Sequence, residues 1–217
     1  MDSRRAADEL KVIRHLMERP VRYTTQSGLA GVLAGCAALL GLGADAFVSR
    51  RYDPRHATLA NLLIWGGVFV VAFLAAVICT RLRERKEDMP FWSAAKKRIA
   101  MTILPPFVAG VGLTLAIVYH WWAGDGPNMW GLIPAIWMTF YGVACWQVGE
   151  FSTTELRWLG GVFVLSGLVA AVLPHAGPVP VLAEMGREIE MPYFTVGLTF
   201  GGYHLLYGII VWMRHGG

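Results

Sequence analysis

The sequence predicts an all-α, polytopic membrane protein: six transmembrane helices, with an amphipathic helix lying on the membrane surface ahead of them. Three observations carry this. Of the 217 residues, 55% are hydrophobic and 16% charged, where a soluble domain carries roughly 25% charged residues. The apolar residues fall into six blocks, and a helix of about 20 apolar residues rising about 1.5 Å each crosses the hydrocarbon core. Lys and Arg are sorted by side, as membrane topology requires.

Residues 1–25 form the first unit. Leu10, Ile13, Leu16 and Met17 recur at helical spacing between charges, and Pro20 ends the pattern. That describes an amphipathic helix on the cytoplasmic surface, anchoring the first span at the headgroups. Docking a cytoplasmic protein partner or a second copy is its sharper role.

Residues 26–217 form the membrane domain, with spans expected at Ser27–Val48, Thr58–Thr80, Ile99–Trp121, Trp130–Val148, Trp158–Leu173 and Pro192–Met213. The first block starts late, is long, and lacks a cleavage pattern behind a basic segment, so it reads as a permanent helix. Fifteen of the nineteen Lys and Arg fall on the side of the N-terminal segment and of the loop RLRERKEDMPFWSAAKKR. Arg50, Arg51, Arg55 and Arg187 take the other side, which places both termini in the cytoplasm. In that loop, Phe91 and Trp92 dip into the interface. This bias accounts for the net charge of +4, so no nucleic-acid partner is implied; the expected partner is the lipid bilayer.

Three related hairpins are visible. An offset of 66 residues superposes Tyr141, Gly142 and Trp146 on Tyr207, Gly208 and Trp212. The spacing Ser27-x3-Gly31-x3-Gly35 suits close helix packing, either within the bundle or against a second copy, so monomer and homo-oligomer both fit. The segment DELKVIRHLMERPVRYTTQSGLAGVLAGCAALLG, with STTELRWLG and YHLLYGI, resembles a family of uncharacterised six-helix bacterial inner-membrane proteins. The hairpin GGVFVLSGLVAAVLP with its following glycine-patterned helix is more distantly similar to the HdeD-like acid-resistance membrane proteins. Both resemblances imply a fold and bring no activity.

The chemistry-bearing candidates are few. Gly197, Gly201, His204 and Gly208 fall within a sector of about 60° on an ideal helix. Thr139, Ser166 and His204 share a midplane depth. A neutral His204 bonded to Thr139 or Ser166 stabilises packing by about 0.6 kcal/mol; that packing role ranks ahead of proton handling in a cavity. Nearer the outer face, Asp45, Asn61 and His120 end or begin their spans. They either converge as an outward-facing, pH-responsive Asp45–His120 latch or simply reach water and headgroups, the favoured reading. Pro105-Pro106 interrupts the third span and Pro134 sits early in the fourth; prolines can break helices around a cavity, but they are common in membrane helices.

Trp121, Trp122, Trp130, Trp158 and Trp212 read as the interfacial belt. Cys36, Cys79 and Cys145 lie inside spans and read as packing residues. There is no phosphate loop, no H-E-x-x-H, no EF-hand loop and no nucleophile elbow. No Lys lies deep in a span, and His120 and His204 differ too much in depth to share a haem. The expectation is therefore a protein without cofactor or metal, working as a non-enzymatic sensing or scaffolding protein. The alternative is a small-solute or ion transporter or channel using the midplane around His204.

Overall fold

The computed structural model describes residues 27–52, 54–86, 92–124, 129–172 and 191–215. The N-terminal amphipathic helix expected over residues 1–25, Phe91 and Arg187 lie outside them. Six helical spans are long and apolar enough to cross a membrane, which makes this a multi-pass, all-helical protein among the described residues.

The helices are α1 (Gly28–Arg51), α2 (Pro54–Lys86), α3 (Ala94–Ala123), α4 (Leu132–Gly149), α5 (Thr154–Val172), α6 (Met191–Leu198) and α7 (His204–His215). All six expected blocks are present; the third runs on as one helix through Pro105-Pro106, and in the first five the other differences lie at the ends. α2 runs on through Arg81, Arg83, Arg85 and Lys86 because a helix of charged residues needs no apolar solvent once past the hydrocarbon. α3 starts where the Ser93 side chain accepts the Lys96 N–H at 3.2 Å. It stops at Gly124, whose φ of 70° only glycine adopts without strain. Pro134 falls in the first turn of α4, where a missing N–H costs no hydrogen bond.

The sixth span departs from expectation. It is α6, a π-helical turn over Thr199–Tyr203, and then α7. The ideal step of about 100° per residue therefore fails between Gly197 and His204. The glycines Gly197, Gly201 and Gly208 face the first span, meeting Leu42, Leu39 and Val32, whereas the imidazole of His204 reaches the fourth span.

The first span packs on the second and on the sixth, the third on the fourth and the fourth on the fifth, while the sixth also touches the fourth and fifth. Two of these contacts are backbone against backbone. A Cβ on Gly208 would stand 2.5 Å from Val32 N and 2.7 Å from Gly28 O. One on Gly142 would stand 2.6 Å from Val164 N and 2.7 Å from Gly160 O. Gly28 and Val32 thus stand to Gly208 as Gly160 and Val164 stand to Gly142. The 66-residue similarity is real at these two sites, and it joins the last helix of one hairpin to the first helix of the next. The Gly31 and Gly35 stripe is used here too, with Gly208 Cα and Gly201 O at 2.9 and 2.8 Å from their Cβ positions. It packs within the chain.

The equivalent contact between the second and third spans is different. Among the described residues nothing lies within 4 Å of the Cβ positions of Gly66, Gly67 and Gly112. Long side chains bridge instead: Phe69 and Phe107 rings at 5.4 Å, and Lys96 Nζ to Glu84 Oε2 at 2.5 Å. Arg81 also approaches Glu84, at 3.6 Å.

Candidate functional site

The main core lies between the fourth, fifth and sixth spans, and His204 stands in it. The π turn creates its setting. The His204 backbone N–H bonds to Gly201 O, so the Phe200 carbonyl is open to the imidazole, whose Nδ1 lies 2.8 Å away. A carbonyl only accepts, so Nδ1 carries a proton, and in the neutral ring Nε2 holds the lone pair. The Tyr141 hydroxyl, 2.6 Å from Nε2, must then be the donor. Both ring nitrogens are engaged.

Aromatic rings close the remaining sides. Phe200 stacks on the imidazole at 10° with centroids 5.7 Å apart. Phe163, wholly buried, lies at 5.4 Å, and Tyr141 at 5.3 Å. Neither expected midplane partner binds His204. Ser166 pairs with the Tyr203 hydroxyl at 3.0 Å. Thr139 packs its hydroxyl against Gly167, where a Cβ would overlap it. Tyr141 was the missing partner. Its only trace in the sequence is the Tyr-Gly pair repeated at Tyr207-Gly208, which marks a position and not a bond 63 residues long.

The other polar cluster forms in part. Asp45 is fully buried, and Trp65 Nε1 donates to its Oδ1 at 3.4 Å. One turn along, Asn61 Nδ2 donates to Ser49 Oγ at 3.4 Å. Asp45 and Asn61 thus share the interface of the first two spans because i, i+4 pairs on antiparallel helices face each other. His120 does not join them. It is exposed beside Tyr119 at the end of the third span, ring centroids 5.6 Å apart. Among the described residues that span makes no extended packing with the first. The Asp45–His120 latch is not formed.

No family model, curated protein or solved structure matches the chain. The site must be read from its own chemistry. Among the described residues, no three His, Cys, Asp or Glu side chains stand close enough to hold a metal ion.

The basic end of the bundle is more open. Arg214 and Glu155 pair across the sixth and fifth spans at 2.8 Å, and Arg157 pairs with Glu150 at 3.3 Å. Between the third and fourth spans a groove of about 470 Å³ opens at this end. Arg98, Gln147 and Glu150 stand at its polar mouth, and Met101, Thr102 and Pro105 line its wall. Arg98 lies over the buried Phe151 ring at 4.3 Å from its centroid, which holds the guanidinium at the mouth.

Proposed function

We propose that this multi-pass membrane protein is a non-enzymatic sensing or scaffolding protein of the bacterial inner membrane, with both termini and the basic end in the cytoplasm. The carrying observation is the closure of the midplane. His204 is 8% exposed, and both its nitrogens are bonded inside a box of aromatic rings. A transport site needs an ionisable group that exchanges partners with water or solute, and this one is committed to Phe200 and Tyr141. Open polar surface lies instead at the basic end, where charged pairs and the groove face the headgroups. The distribution of Lys and Arg supports the orientation.

The test is a deletion of Met1 to Arg19. The truncated chain should still insert and fold but lose a co-purifying cytoplasmic protein; retention of every partner overturns the scaffolding reading. Reconstituted vesicles test the transport alternative directly, because it requires that His204→Ala abolish a solute or ion flux in a protein that stays folded.

A further inference from the structure

We propose that the groove between α3 and α4 holds a phospholipid whose headgroup ends in a primary ammonium, of the phosphatidylethanolamine type. This goes beyond the scaffolding reading and does not depend on it.

The depth is right for a lipid. Arg98 immediately precedes the apolar block Ile99–Trp121, so the mouth sits at headgroup level and the wall descends into hydrocarbon. Met101 and Pro105 are exposed along that wall, offering an apolar face to an acyl chain.

The charges select the headgroup. Arg98 is a planar, permanently charged donor suited to a phosphate. Opposite it stand acceptors. The Glu150 carboxylate is half exposed, and Gln147 adds an amide oxygen. Two more come from the backbone. Pro105 and Pro106 have no N–H, so on the same helix as Arg98 and about a turn deeper the carbonyls of Met101 and Thr102, two residues that line the groove, lack the donors four residues on that a helix supplies. Arg98 is the cation that lines the groove, and the Glu150 carboxylate keeps lone pairs beyond its 3.3 Å contact with Arg157, which matches a headgroup with a phosphate and three N–H donors. A glycerol headgroup offers the carboxylate neutral hydroxyl donors without a positive charge, and a choline headgroup has the charge but no N–H to give.

The experiment uses the full chain in lipid nanodiscs made from phosphatidylethanolamine, phosphatidylglycerol and phosphatidylcholine with identical acyl chains, and reads retained lipid by native mass spectrometry. The wild type should enrich phosphatidylethanolamine about fivefold over either competitor, the size of one net hydrogen bond. Arg98→Gln should lower retention of all three. Glu150→Gln should remove the preference and leave phosphatidylglycerol retention unchanged or higher. Arg157→Gln breaks the same ion pair but keeps the carboxylate, and should leave the preference intact. Equal retention of the three lipids by the wild type overturns the proposal. So does an unchanged preference in Glu150→Gln, or its loss in Arg157→Gln.

Discussion

The second and fourth spans are both apolar helices, yet they sit in the bundle very differently. The second is the most apolar of the six and the least buried, with 6% of its apolar stretch inside the protein. The fourth is the least apolar and the most buried, at 44%. In water that order would be reversed. In lipid, a leucine gains nothing by leaving acyl chains for protein, so hydrophobicity does not drive helices together. Close backbone approach and a few polar bonds do. The fourth span has Gly142 against Gly160 and Tyr141 against His204; the second has two glycines facing open space.

Substitutions at the glycines test that contrast hardest. Gly142→Leu and Gly208→Leu must push apart two backbones, and each should cost about 3 kcal/mol or more of stability, by unfolding of the purified protein in mixed micelles. Gly66→Leu should cost less than about 0.5 kcal/mol, as a surface change does. If Gly66→Leu costs as much as Gly142→Leu, the contrast between the two regions collapses.

The next effect concerns what joins the second and third spans. The Glu84 side chain is 1% exposed and takes Lys96 and Arg81. Glu84→Ala should destabilise by about 2 kcal/mol, below the value for a deeply buried pair because Lys96 is partly open to solvent. The loss should concentrate in those two spans, read as faster hydrogen exchange near Lys96. Uniform exchange across all six spans would show the bundle to be equally coupled throughout.

In the well-packed region, a double-mutant cycle of Tyr141→Phe with His204→Leu should return a coupling of about 0.6 to 1.7 kcal/mol. No coupling would mean that the aromatic box alone holds the histidine. Among the side-chain contacts the smallest is that of Phe69, tested by Phe69→Ala. Its ring is 44% exposed, and its contacts with Phe107 and Trp137 should contribute about 1 kcal/mol or less.

Much of the fold was legible in the chain. Block lengths located every span, since hydrocarbon thickness sets how many apolar residues a helix needs. The glycine stripe of Gly31 and Gly35 was legible as a packing face, but its partner was not. Small residues say that another backbone comes close without saying whose. The site was less legible. His204 stood out as an ionisable group in an apolar run, but its partner lies on another helix and its direction depends on a π turn. A helical wheel assumes that turn away. Asp45 and Asn61 could be placed at one depth, yet only helix order decides that they share an interface and that His120 stays apart.

By itself the sequence determined the number of spans, their places along the chain and the sorting of charge to one end, because each follows from transferring one residue at a time between water and lipid. Only the tertiary structure decided which glycines pair, that Tyr141 and not Ser166 or Thr139 holds His204, and that the second and third spans meet through side chains alone. Those are choices between helix faces of nearly equal apolarity. In lipid, shape and a few hydrogen bonds make them, and both arise only when the helices are brought together.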